Sequence, residues 1–227
     1  MSIGSEPAFA IRPQLSDDVA RYVRRRIFDG TFAAGEYLRL DQLAAEVGIS
    51  VTPVREALLT LRAEGLLDQH PRRGFMVVAV TARDIADVAG VQAYVGGELA
   101  ARAAENVTDE QLAALTAIQD DLEKAYEGAD LERTVRLNHD YHRMINVVAD
   151  APKLAHVMST ITRYAPESVF PTLEGWPRQS IHDHRRVLAA LGRRDPREAR
   201  SAMAEHFAVG VAPLVEHLLA RGVIAAD

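Results

Sequence analysis

The chain has 227 residues, 48% hydrophobic and 26% charged, enough for the core of one large or two small domains. It contains no cysteine, which excludes disulfides, thiolate catalysis and cysteine-ligated metal, and no apolar run reaches the ~18 residues of a membrane span. The net charge is −6, yet residues 1–78 hold ten arginines, no lysine and ten acidic residues, so the negative excess lies beyond them and the N-terminal part can still meet phosphate.

Residues 1–12 combine Gly, Ser and Pro without helical period and read as a flexible tail. They lack the pattern of a signal peptide, and the cytoplasm is the expected compartment. A helix is predicted from Ser16, as its cap, through Val19, Val23 and Ile27, with Arg24, Arg25 and Arg26 mostly on a solvated face. From Leu40 to Val47 and again from Val54 to Leu66 apolar residues recur at helical spacing, around the break Gly48-Ile49-Ser50. Two short helices about a tight turn make a helix-turn-helix. Pro53 suits the first turn of the second helix, and Ser50 or Thr52 its cap. Thr52 and Arg55 then occupy the positions that such a helix presents to base edges. Two short apolar runs flanking Pro71-Arg72-Arg73-Gly74 read as a β-hairpin, and a hairpin in this place is a wing, whose arginines suit a phosphate backbone or a narrow minor groove.

From Thr81 onward the signals are helical. Thr81 with Asp84 and Thr108 with Gln111 are capping boxes, Asp130 caps a third helix, and Pro152 opens a fourth. A proline-rich connection, residues 165–180, leads to a fifth helix at about Ser180–Leu191. Asp195-Pro196-Arg197-Glu198 begins a sixth, which Pro213 should kink. The expected fold is mainly α: an N-terminal winged helix-turn-helix over residues 13–79, then an all-α six-helix effector bundle over residues 80–227. Asn138 and His142 share one face of the third helix, while His184 and His206 fall in register with apolar residues of the fifth and sixth. Spacing alone leaves two readings open, core histidines with separate hydrogen bonds or a convergent site inside the bundle.

Residues 15–77 resemble the winged helix of GntR-type bacterial transcription regulators, through IFDGTFAAGEYL, LAAEVGISVTPVREALLTLRAEGLL and HPRRGFMV. Residues 81–215 resemble the FCD effector domain of the FadR branch, through LNHDYHRMINVVADAPKL and IHDHRRVLAALGRRDPREARSAMAEHF, and six effector helices place the chain nearer the VanR-like subgroup. The resemblance implies operator contacts at Ser50, Thr52, Arg55 and the wing glycine Gly74, with Val51 standing where the family usually has arginine. Arg39, Arg72 and Arg73 could supply part of that lost charge. It also implies a divalent metal, zinc or nickel by the imidazole donors, on Asn138, His142, His184 and His206, with asparagine in place of the usual aspartate. His139, His156 and His182 match no ligand position. The arginine that often grips a ligand carboxylate early in the first effector helix is missing here: Tyr94 or Gln92 could replace it by hydrogen bonding, or the metal alone could grip the ligand, and Tyr94 and Arg102 are the effector-binding candidates.

The whole reads as a homodimeric regulator, a repressor, that binds an inverted-repeat operator in double-stranded DNA and senses a small organic acid. No membrane partner and no enzymatic activity are expected. The rivals are a metal-free regulator whose histidines and Tyr94 and Arg102 hold the effector directly, and a metal-dependent hydrolase with Glu98 or Glu205 as general base.

Overall fold

A computed structural model describes residues 13–164 and 169–224, so the tail expected over 1–12 lies outside the described residues. The chain divides into two compact units, Met1–Ala79 and Val80–Asp227.

In the first unit α1 (Pro13–Phe28), α2 (Leu40–Val47) and α3 (Val51–Ala63) accompany a three-stranded antiparallel sheet of β1 (Tyr37–Leu38), β2 (Leu67–His70) and β3 (Gly74–Val77), in the order β1-β3-β2. Val19, Val23 and Ile27 bury the inner face of α1, while Val54, Ala57, Leu58 and Leu61 do the same for α3. The turn between α2 and α3 closes on Gly48 at φ +71, a left-handed conformation that favours glycine. Several local expectations change. The first helix starts at Pro13, three residues before Ser16, because a proline needs no amide partner in the first turn. Ser50 takes the N-cap position of α3 without a side-chain cap bond, and Thr52 lies inside the helix. Arg24 is not solvated: its guanidinium bonds the Glu64 carboxylate at 2.6 Å, with side-chain exposures of 14% and 9%, and ties α1 to the end of α3. The two-residue β1 was not foreseen, being too short to show an alternating pattern.

The second unit is helical: α4 (Ala82–Asn106), α5 (Asp109–Glu127), α6 (Leu131–Val148), α7 (Pro152–Ile161), α8 (Trp176–Gly192), α9 (Pro196–Val209) and α10 (Val211–Ala220). Both capping boxes form, and Asp130 and Asp195 accept from Arg133 and Glu198 backbone amides. Glu198 does not complete a box at α9, since its side chain pairs with Arg186 instead. The fifth bundle helix begins at Trp176, four residues earlier than expected, with Pro177 in its first turn. The sixth is kinked, but at Gly210, which separates α9 from α10. Pro213 cannot donate to the Val209 carbonyl four residues back, so the break falls one turn before the proline.

Two apolar clusters hold this unit. The larger joins Leu99 and Ala103 of α4, Leu115 of α5, Tyr141 and Ile145 of α6, Val187 and Leu191 of α8, and Met203 of α9. The smaller gathers Ile85, Leu173, Trp176, Leu214, Leu218 and Ile224. α4 and α9 approach most closely where Gly96 and Gly97 face α9. A Cβ on Gly96 would sit 2.5 Å from the Phe207 ring, and one on Gly97 would sit 3.0 Å from the Arg200 carbonyl oxygen.

Gly74 meets two constraints at once: φ is +101, and a Cβ would lie 2.7 Å from the Leu38 carbonyl oxygen. Gly74→Ala should therefore destabilise the small sheet by about 1–3 kcal/mol. In the full-length chain that appears as amide exchange about ten- to hundredfold faster in β1–β3, with α8 amides unchanged; unaltered protection of β3 would refute the steric reading.

Candidate functional site

The recognition-type helix α3 has one face consumed by the core and the other open. Ser50, Thr52 and Arg55 are exposed on that open side, and the side chain of Arg55 makes no bond to any described residue. Val51, at 39% exposure, stands among them as an apolar group facing water. Arg39, beside the start of α2, keeps only a solvent-exposed 3.6 Å pairing with Asp41. At the wing, Arg72 takes φ +65 at the tip and is exposed, whereas Arg73 lies with its guanidinium 5.7 Å from the Tyr37 ring. Gly74 is not at the tip itself but is the first residue of β3, paired with His70, and its small size serves the approach to Leu38. Arg62 of α3 reaches Gln69 of β2 at 2.5 Å and links the helix to the wing. This open face with its exposed arginines can meet a phosphate backbone, and its α3 residues can reach base edges.

In the helical unit, His142 of α6, His184 of α8 and His206 of α9 converge, each offering a nitrogen within 4.8 Å of the others. The His142 and His206 rings stack at 5.2 Å, and those of His184 and His206 lie 4.7 Å apart. His206 lines up with buried Ala202 and Met203, while Val209, expected on the same side, is turned outward. Asn138, half-buried, precedes His142 by one helical turn. Three imidazoles this close cannot all carry charge. Burial pushes His142 and His184 well below the ordinary imidazole range, and each is lowered further by the potential of neighbouring histidines. Both rings are neutral near pH 7, the form that binds a metal.

The surrounding side chains are as informative as the rings. His184 Nδ1 lies 2.8 Å from Gln119 Oε1, its Nε2 is buried without a hydrogen-bond partner, and Tyr141 stacks on it at 4.2 Å while donating to its backbone carbonyl. His206 Nδ1 points toward Asp183 Oδ2 at 3.5 Å, too long for a good hydrogen bond, and both atoms are otherwise buried without partners. Burial pulls the Asp183 carboxyl up, but the nearby His206 ring and hydrogen bonds from Gln179 and His182 overcome that and hold it below the usual range. Orphaned polar atoms on buried rings are costly unless something meets them. Three nitrogen donors with an amide or water oxygen suit zinc, nickel or a similar divalent ion. The residues present fit a metal.

Gln119, Tyr141 and Asp183 escaped the sequence reading. Gln119 and Tyr141 sit in ordinary helical register with core residues, and Asp183 adjoins His184 in a run of polar residues, so no spacing marks them. Two expected effector residues are placed elsewhere. Tyr94 is 72% exposed and Arg102 is also on the outer side of α4, because eleven other positions of that helix are spent on burial. Gln92 is the one turned inward, its amide donating to the Ile161 carbonyl at 3.4 Å. His139 and His156 are exposed, and His182 reaches the site only through Asp183. Glu98 and Glu205 are bound to arginines, Arg200 and Arg186 respectively, which hold both carboxyls below the usual range and leave neither poised as a base.

Residues 15–77 match the family described as "Bacterial regulatory proteins, gntR family", and residues 87–209 match the FCD domain. The HTH-type transcriptional regulator McbR of Escherichia coli is 27% identical over 209 residues, covering 89% of this chain and 93% of that protein. A solved structure of E. coli McbR/YncC superposes with TM-score 0.72 at 26% identity, covering 90% of this chain and 98% of that one. An uncharacterized HTH-type transcriptional regulator of Bacillus subtilis, YdhC, is 25% identical over 196 residues, 82% of this chain and 84% of its own length. A protein of Paenarthrobacter nicotinovorans, 25% identical over 202 residues and 87% covered in both chains, is named a probable D-xylose utilization operon transcriptional repressor. Each of these relatives is named a transcriptional regulator or repressor, and no described helix is long and apolar enough to cross a membrane.

Because His184 and His142 are neutral when folded but protonate near pH 6.5 when unfolded, the unfolded state binds more protons as pH falls. Stability is therefore full above about pH 6.5 and declines below it, by about 1.4 kcal/mol per pH unit for His184 alone, with His142 adding to the slope. Melts of metal-free protein followed by circular dichroism between pH 7.5 and 5.5 should show this fall; a flat Tm across that window contradicts neutral burial.

Proposed function

The chain belongs to the gntR family of bacterial regulatory proteins and carries an FCD domain, and from that premise we propose that it is a homodimeric, metabolite-responsive repressor with a divalent metal in its helical domain. The winged helix of residues 13–79 binds operator DNA, and residues 80–227 bind effector and metal and dimerise. The observation that carries the metal reading is the convergence of three imidazoles from three helices, with His184 Nε2 buried and unpaired. His142, His184 and His206 would hold the ion, with Asn138 as an oxygen donor. Bound there, a divalent ion offers a Lewis-acid position that an oxygen of the effector can complete. Asn138 brings no charge, so the three histidines and the amide form a neutral set, which leaves an anionic oxygen ligand well matched to a dication. A small organic acid meets that need. Repression is supported by relatives named as repressors, among them RspR of E. coli.

On the DNA side Arg55, exposed and unpartnered, reads a base edge or clamps a phosphate, with Ser50 and Thr52 beside it and Arg39, Arg72, Arg73 and the Gly74 wing on the backbone. A two-fold dimer places one recognition helix in each half of an inverted repeat. An effector that binds one arrangement of the two readers better than the other shifts their population, and with it operator affinity.

Two measurements test this. Elemental analysis of untagged protein should find about one divalent ion per chain, lost in His142→Ala; a metal-free wild type that still binds operator points to direct recognition of the effector by the histidines. Arg55→Ala should weaken specific binding, at fixed salt, by about 1–3 kcal/mol on the DNA site recovered by selection from random sequence, and unchanged affinity there removes Arg55 from the interface.

A further inference from the structure

We propose that Gln119, clamped by Glu123 and Arg185, fixes the tautomer of His184 so that its Nε2 always presents a lone pair to the histidine cluster. The consequence for metal affinity rests on the metal-binding reading above; the tautomer itself does not.

The chain of hydrogen bonds has only one direction. Arg185, adjacent to His184 on α8, donates through Nε to Glu123 Oε1 at 2.7 Å and through Nη2 to Asp120 Oδ1 at 2.6 Å. Guanidinium groups only donate, and carboxylates only accept. Glu123 Oε1 therefore accepts a second bond, from the amino group of Gln119, whose nitrogen is 3.0 Å away. Gln119 is fully buried, and with its amino end spent on Glu123 its carbonyl end must face His184. That oxygen, 2.8 Å from His184 Nδ1, can only accept. A neutral imidazole has one N–H, so Nδ1 carries it and Nε2 is bare.

The ring has no freedom to escape this assignment. Tyr141 lies flat against it, 4.2 Å away and 15° from parallel, and ties down the His184 backbone through its hydroxyl. A core histidine that served packing alone would gain from satisfying both nitrogens. Here one is satisfied through three other side chains while the other is left buried and bare. Outer partners of this kind set ligand orientation and basicity, and their loss costs metal affinity about ten- to hundredfold. Gln119, Glu123 and Arg185 are thus positioning residues that act through His184 and touch no ligand themselves.

The test begins with metal-free wild-type protein, where long-range ¹H–¹⁵N correlations report which ring nitrogen of His184 bears the proton. The expected result is protonated Nδ1 and unprotonated Nε2. Protonation at Nε2, or rapid averaging of the two forms, overturns the proposal without recourse to any variant. Zn²⁺ titration then compares wild type with Gln119→Met, which keeps the side-chain length and removes the acceptor, and with Glu123→Ala, which frees the amide to flip. Gln119→Met should bind Zn²⁺ about ten- to hundredfold more weakly and lose the single tautomer. Glu123→Ala should show both effects in milder form. Wild-type affinity in a folded Gln119→Met overturns the proposal. A wild type with the expected tautomer that binds no Zn²⁺ supports the hydrogen-bond chain and defeats the metal reading instead.

Discussion

The helical domain depends on the close approach of α4 and α9 at Gly96 and Gly97. Neither position tolerates a Cβ without displacing Phe207 or the Arg200 backbone, so the two helices meet nearly backbone to backbone. That approach seats α9 deeply enough for His206 to reach His142 on α6 and His184 on α8. Phe207, pressed on Gly96, in turn closes one side of the cluster, 5.5 Å from the His142 ring. Alanines do the same at neighbouring layers: Ala100, Ala103 and Ala104 of α4 and Ala199 and Ala202 of α9 are all buried. A bundle assembled from larger residues would hold these helices further apart and separate the imidazoles.

Around that contact the charged groups are sorted by depth. The ion pairs Arg200–Glu98, Arg186–Glu198 and Arg185–Asp120 run along the outside of the bundle, where each contributes little to stability. Inside, among the described residues, are the histidine rings, the amides of Gln92 and Gln119 and the carboxylate of Asp183. The one negative charge at the centre is thus that of Asp183, which its hydrogen-bond donors and the nearby His206 ring keep ionised.

The sequence reveals the architecture well because its punctuation is local. Thr81-x-x-Asp84, Thr108-x-x-Gln111, Asp130 and Asp195-Pro196 each fix a helix start through bonds within one turn, and the structure places those starts accordingly. Gly48 and the Pro71–Arg73 tip mark turns for equally local reasons. What could not be read depends on partners far along the chain. Arg24 looks solvated beside Arg25 and Arg26 until Glu64, forty residues on, is seen to hold it. Gln119 and His184 are 65 residues apart, and nothing in either neighbourhood announces the bond between them. Tyr94, named because the expected arginine is missing, faces outward, an orientation that no local spacing announces. The histidines are legible as a set only through helical register and resemblance; their separation and supports need coordinates.

Trp176, the only tryptophan, closes the same region from the other side. Its ring lies 5.7 Å from His206 and 4.8 Å from Phe170, and Gly210 leaves it room at the α9–α10 break. An indole held this near an imidazole changes its emission whenever the charge or ligation of that ring changes. The single indole is therefore a built-in optical probe of the histidine cluster's surroundings, read without any added label.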